Sequence, residues 1–102
     1  MHTSVFQLPV GVLDALAELA RKWSARGVVL SVFGSFAAGT AARDSDLDLA
    51  VEWTAGRDAT LHAELMADIE ALPTVRPIDV VDLSEADAAF VAAIRPGMRR
   101  VA

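Results

Sequence analysis

The residues with the clearest potential for chemistry lie in the stretch GSFAAGTAARDSDLD, which begins with Gly34 and Ser35 and ends with Asp46 and Asp48. A glycine before a serine at a strand-to-helix turn lets backbone N–H groups approach a phosphate, and the start of a helix adds a partial positive charge. Two aspartates at alternate positions of a strand place both carboxylates on one face, where they suit a hard cation such as Mg²⁺. The spacing predicts an anion site beside a metal site with oxygen ligands.

A third carboxylate extends this prediction, because Asp79 interrupts the otherwise apolar run PIDVVDL. A charge inside a core-like run needs a reason, since burying an unpaired carboxylate is costly. If this run pairs with the strand that carries Asp46 and Asp48, the three carboxylates could surround one or two Mg²⁺ ions. Asp82 is the rival candidate, but its place just before a serine favours a turn or helix-capping role.

Periodic apolar positions predict the elements that must position these residues. The last predicted helix starts where Ser84 and Asp87 resemble a capping box. The order of elements predicts an α/β or α+β fold in which a small mixed β-sheet is flanked by helices, as one domain over residues 1–102. The elements are helix, strand, short helix, strand, helix, strand and helix, at residues 12–26, 28–33, 36–42, 46–52, 61–72, 78–83 and 84–94.

Composition and charge exclude several classes of function. The chain of 102 residues has no cysteine and two histidines, which argues against disulfides and against zinc or iron–sulfur sites. A net charge of −5 argues against direct nucleic-acid binding, which depends on Lys and Arg. No apolar run approaches the roughly 20 residues of a membrane span, and no secretory signal opens the chain. We therefore expect a soluble, cytoplasmic protein, and Trp23, on the apolar stripe of the first helix, is expected in its core.

The motif GSFAAGTAARDSDLDLAV resembles the signature of the polymerase beta-like nucleotidyltransferase superfamily, in which Gly-Ser is followed at a fixed interval by Asp-x-Asp. A third aspartate lies on a later strand in that superfamily, at the position that Asp79 takes here. By its length, by the surroundings of the motif and by a tail that resembles Ile94-x-x-Gly97, the chain is most similar to the minimal nucleotidyltransferase (MNT) group.

The resemblance implies a role for each matching residue. Gly34 and Ser35 would bind the β- and γ-phosphates of a nucleoside triphosphate. Asp46 and Asp48 would ligate Mg²⁺, with two ions expected, and Asp79 would complete the metal site and help to deprotonate the acceptor hydroxyl. The implied reaction is an in-line attack on the α-phosphorus, after which pyrophosphate leaves.

One departure from the family pattern lies inside the motif. Members of the MNT group often have an arginine where this chain has Ala38, so one cation expected near the phosphates is missing. Arg43 lies nearby in the sequence and is the candidate substitute for nucleotide binding. The departure bears on catalysis more than on the fold.

The MNT resemblance implies an antitoxin that transfers AMP from ATP to a tyrosine of a partner HEPN-domain toxin. This chain has no tyrosine, so the acceptor would lie on the partner. The alternative is an antitoxin or binding subunit that neutralises its partner by occlusion, without efficient catalysis. Modification of a small molecule, as by aminoglycoside nucleotidyltransferases, fits a chain of this size poorly, and nucleic-acid polymerisation fits its acidic balance still less. The nucleotide preference and any homo-oligomer are left open.

Overall fold

The computed structural model describes residues 8–42 and 45–102. All seven predicted elements form there, in the predicted order. The elements of the described ranges are α1 (Val10–Ser24), β1 (Val28–Phe33), α2 (Gly34–Ala38), β2 (Leu47–Trp53), α3 (Ala59–Glu70), β3 (Ile78–Asp82), α4 (Ala88–Ile94) and β4 (Arg99–Arg100), with a 3₁₀ turn, Arg95–Gly97, before β4. No helix in these ranges has the length and apolar character that crossing a bilayer requires.

The strands form one sheet in the order β3-β2-β1-β4. β1 runs antiparallel to both β2 and β4, whereas β2 and β3 are parallel and are joined through α3. The predicted mixed sheet flanked by helices is therefore confirmed. The register aligns Phe33 of β1 with Asp48 of β2, and Asp48 in turn with Asp79 of β3. The pairing of the second and third strands, which the grouping of the three carboxylates requires, is thus observed.

The hydrophobic core lies on the face of the sheet that packs against α1 and α3. Trp23 is fully buried in this core, as its place on the apolar stripe predicts. Each large apolar side chain removed from water contributes about 1.5–3 kcal/mol, so this face supplies most of the stabilisation. The other fully buried large side chains are Leu16, Leu30, Leu47, Leu49, Leu65, Val28, Val32 and Val51, together with Phe36, which α2 contributes.

Two sequence-based assignments are wrong, and one strand was missed. The short helix spans Gly34–Ala38 rather than residues 36–42, because Gly39 adopts a left-handed conformation with φ of 77° and ends it. Ser84 does not cap the last helix, since it lies in a turn where its amide and its hydroxyl both donate to Asp82. Asp87 caps α4 instead, by accepting a hydrogen bond of 2.7 Å from the Ala89 amide. The two-residue strand β4 was not predicted.

Candidate functional site

Asp48 lies at the centre of the candidate site, on the face of the sheet opposite the α1 and α3 layer. Its neighbours in β2, Leu47 and Leu49, are fully buried in the core, so the strand alternation turns the Asp48 carboxylate to the other face. The side chain is half-buried, and the register places it between Phe33 on β1 and Asp79 on β3. The fold therefore brings together two of the three predicted carboxylates by strand pairing.

Gly34 is the residue that allows the Asp48 carboxylate to reach the first turn of α2. It has a φ of 73°, a conformation that residues with a Cβ rarely adopt. A Cβ at this position would overlap Asp48 Oδ2 and would lie 3.2 Å from Asp48 Cγ. The sequence suggested a glycine that lets a phosphate approach the backbone. The structure adds a second reason, which is that the carboxylate occupies the space that a side chain would fill.

Ser35, the second residue of the predicted anion site, is half-buried in the first turn of α2. The predicted turn before a helix is thus part of the helix itself. The Ser35 carbonyl accepts hydrogen bonds from the amides of Gly39 and Thr40, the latter at 2.9 Å. These bonds close α2 as a compact unit against β1 and β2, and Gly34 and Ser35 are held at its start.

The electrostatics of the site are unfavourable in the absence of a cation. Burial raises the pKa of the Asp48 carboxyl, and the negative charges of Asp79 and Asp46 raise it further. Among residues 8–42 and 45–102, no three His, Cys, Asp or Glu side chains converge as ligands of a metal ion. The donor set is nevertheless of the kind that Mg²⁺ prefers, namely carboxylate oxygens close enough to repel one another.

Asp46 lies just before β2, and contacts of its two neighbours fix its backbone. The Ser45 carbonyl accepts a hydrogen bond of 2.8 Å from Nη1 of Arg76, and the Leu47 amide donates one of 2.9 Å to the Pro77 carbonyl. The Asp46 side chain itself is exposed. Arg76 was missed by the sequence reasoning, because its partner lies in a distant loop and no local pattern marks the contact.

Three other residues that the sequence analysis singled out differ in where the structure places them. Arg43, predicted to bind nucleotide, lies outside the described residues. Ala38, where the family often has an arginine, is exposed at the end of α2. Asp82 accepts hydrogen bonds from Trp53, Arg57 and Ser84, so it takes the structural turn role that the sequence favoured for it.

The chain matches the family described as "Polymerase beta, Nucleotidyltransferase" over residues 20–98. It belongs to this family, and the match includes the motif and the strand that carries Asp79. No curated protein sequence matches the chain.

Several solved structures share the fold. One is a toxin–antitoxin complex with AMP-PNP, at 25% identity and a TM-score of 0.60, with 88% of this chain and 72% of that chain covered. Another is an MntA–HpeT toxin–antitoxin complex with a Tyr-to-Ala mutation, at 25% identity and a TM-score of 0.62, with 92% and 72% covered. A third contains a tri-AMPylated Shewanella oneidensis HEPN toxin with its MNT antitoxin, at 20% identity and a TM-score of 0.58, with 89% and 69% covered.

Proposed function

We propose that this chain is an antitoxin that transfers AMP from ATP to a tyrosine hydroxyl on a partner HEPN-domain toxin. The observation that carries the proposal is the position of Asp48. Its carboxylate lies against Gly34 on one side and is in register with Asp79 on the other. A triphosphate bound at the start of α2 would therefore lie next to the acidic face.

The family and the structural neighbours support this reaction class. Nucleotidyl transfer is the activity for which the matched family is named. One neighbour was solved with AMP-PNP, and another contains a toxin that carries AMP. Because this chain has no tyrosine, a tyrosine acceptor has to come from the partner.

Each residue of the proposed site has a defined task. The backbone at Gly34 and the Ser35 hydroxyl would bind the β- and γ-phosphates. Asp46, Asp48 and Asp79 would hold Mg²⁺, which neutralises phosphate charge when it is bound. Asp79, on the exposed edge strand, would accept the proton of the acceptor hydroxyl.

In the proposed reaction one bond to the α-phosphorus forms as another breaks. The acceptor oxygen forms a bond to the α-phosphorus while the bond from the α-phosphorus to the bridging oxygen breaks. Pyrophosphate leaves with the electron pair of that bond, and the acceptor proton passes to Asp79. The chain's residues bind and orient the reactants, so alignment of the acceptor with the α-phosphorus is the main contribution of the fold.

The proposal is tested by incubating the purified chain with a candidate HEPN-domain toxin, labelled ATP and Mg²⁺. Label on the HEPN protein is expected, together with its loss when the acceptor tyrosine is replaced by Phe. Asp48→Asn is the matched inactive control, since it keeps the shape of the side chain. Label on no HEPN protein, under conditions where ATP binds, would refute AMP transfer.

The exposed Ala38 favours a second candidate, an antitoxin that acts by occlusion. Without an arginine at this position, α2 presents no cation of its own to the phosphates. The double variant Asp46→Asn, Asp48→Asn separates the two functions when it is produced together with the toxin in growing cells. Restored toxicity supports AMP transfer as the neutralising step, whereas full neutralisation by the double variant supports occlusion.

A further inference from the structure

Arg76 links three segments that surround the candidate site. It lies in the loop before β3, and its guanidinium carbon is 4.8 Å from the centre of the Phe36 ring in α2. Its Nη1 atom donates the hydrogen bond of 2.8 Å to the Ser45 carbonyl. Phe36 is itself buried, so the guanidinium is packed against a rigid surface and not against a mobile side chain.

Pro77, the residue after Arg76, makes a second contact with the segment that carries Asp46. The Pro77 carbonyl accepts the Leu47 amide at 2.9 Å, one residue after Asp46, while Arg76 holds the Ser45 carbonyl one residue before it. Asp46 is therefore flanked by two hydrogen bonds to consecutive residues of one loop. The backbone that carries the first predicted metal ligand cannot shift without breaking at least one of them.

We propose that Arg76 is a positioning residue, which fixes Asp46 relative to the start of α2. The proposal rests on the proposed function, in which Asp46 holds Mg²⁺ and Gly34 and Ser35 hold phosphate. Arg76 acts on Asp46 through Ser45 and on α2 through Phe36, so the Asp46 carboxylate and the backbone at Gly34 and Ser35 keep one fixed geometry.

An arginine suits this task better than a lysine. The planar guanidinium can stack on the Phe36 ring while an N–H in the same plane donates to the Ser45 carbonyl. A lysine ammonium keeps the charge but lacks the flat surface, so Arg76→Lys should hold only one of the two contacts. This difference separates positioning by geometry from a simple effect of charge.

Amide hydrogen exchange tests the proposal without any need for catalysis. Arg76→Met is compared with Arg76→Lys and with Arg21→Met, which removes an exposed arginine of α1 as the matched control. In Arg76→Met the Leu47 amide should exchange about tenfold faster relative to the Leu49 amide, as expected for loss of a hydrogen bond from a charged donor. Arg76→Lys should give a smaller acceleration, and Arg21→Met none.

The opposite results would overturn the inference. If the Leu47 amide accelerates no more than the interior amides of β2, Arg76 contributes only to general stability. If Arg76→Lys retains full protection, charge alone suffices, and positioning by the geometry of the guanidinium is refuted. Should Arg76→Met not fold, the Arg76→Lys variant decides the question.

The transfer reaction supplies an independent readout. In Arg76→Met the Mg²⁺ concentration for half-maximal rate should rise about tenfold, with a smaller loss of rate at saturating Mg²⁺. An unchanged Mg²⁺ requirement beside faster Leu47 exchange would mean that Asp46 does not hold the metal. If the wild-type chain transfers no AMP, the proposed function fails, while the exchange experiment still decides whether Arg76 positions the loop.

Discussion

The paired strands β2 and β3 have a partly buried aspartate at each end, and the surroundings of these two aspartates shift their pKa in opposite directions. At one end Asp82 accepts hydrogen bonds from Trp53 Nε1 and Arg57 Nε, each of 3.0 Å, and from Ser84. Burial acts to raise the pKa of Asp82, but these hydrogen bonds outweigh it and the pKa is lowered. At the other end burial raises the pKa of Asp48, and the nearby charges of Asp79 and Asp46 raise it further.

The difference distinguishes Asp82, a carboxylate that stabilises the fold, from Asp48, which the proposed function assigns to the metal site. The charge of Asp82 stabilises the fold, because the native structure supplies its hydrogen-bond donors. The charge of Asp48 destabilises the fold, because the structure surrounds it with more negative charge. Departures of this kind from the rules of stability are concentrated at functional sites, where a ligand supplies what is missing.

The largest effect should come from removing the charge of Asp48. We expect Asp48→Asn to lower AMP transfer to the partner by about a hundredfold or more, since a proposed ligand of the metal is lost. Its midpoint of thermal unfolding should stay level or rise, because repulsion of Asp79 and Asp46 is relieved. Transfer assays and thermal unfolding of the metal-free protein measure the two effects. A fall in stability with full activity would show that Asp48 stabilises the fold and is not needed for transfer.

The second effect concerns the contact between Gly34 and Asp48. Gly34→Ala should lower the free energy of unfolding by about 2–5 kcal/mol, from backbone strain and from overlap with the Asp48 carboxylate. Gly39→Ala is the matched control, because Gly39 also has a positive φ but a Cβ there would meet no atom within 4 Å. It should cost only the strain, about 1–2 kcal/mol.

A double-mutant cycle isolates the overlap at Gly34. In the background of Asp48→Ala, the cost of Gly34→Ala should fall to that of Gly39→Ala, because the carboxylate that meets the new Cβ is gone. Denaturant unfolding of the four proteins of the cycle gives this coupling. Equal costs of Gly34→Ala in both backgrounds would show that the carboxylate does not limit residue 34.

The third effect concerns Asp82, the carboxylate at the other end of the paired strands. Asp82→Asn should lower the free energy of unfolding by about 1–3 kcal/mol, because Trp53, Arg57 and Ser84 lose a charged acceptor. AMP transfer per folded molecule should be unchanged, which is the reverse of the Asp48→Asn result. A loss of transfer in fully folded Asp82→Asn protein would show that Asp82, like Asp48, is needed for AMP transfer.

The smallest effect is the dependence of stability on pH. Asp82 has a lowered pKa in the native state, so its stabilisation is present above the unfolded-state pKa and is lost as the pH falls through the native one. The stability difference between wild type and Asp82→Asn should therefore shrink below about pH 4. Denaturant titrations from pH 7 to pH 3 measure it. A difference that is constant over this range would exclude the carboxylate charge as its source.

Much of the candidate site could be predicted from the sequence, because its chemistry depends on local spacing. Alternation along β2 turns Asp48 away from the core, and the apolar run around Asp79 predicts a strand. The pairing of the two strands was only a condition of the sequence argument, because spacing along the chain does not fix the order of strands in a sheet. Local spacing correctly predicted the amphipathic helices and the buried Trp23.

The remainder depends on contacts between distant segments. Arg76 meets Phe36 and the Ser45 carbonyl only after the chain has folded, and no periodicity marks such a residue. β4 has two residues, too few for an alternating pattern. Ser84 is a residue type that often caps helices, but here its amide and its hydroxyl donate to Asp82, and this turn forms in place of the predicted cap.

The parallel pairing of β2 with β3 orders the assembly of the site in time. β1 and β2 are antiparallel neighbours joined by a short connection, so Gly34 and Asp48 can meet early, at a small cost in loop entropy. Asp79 arrives only after α3 has crossed between the strands, a non-local step that is intrinsically slow. A half-folded chain would therefore have the phosphate turn without the third carboxylate, and the complete acidic face would mark a chain that has finished folding.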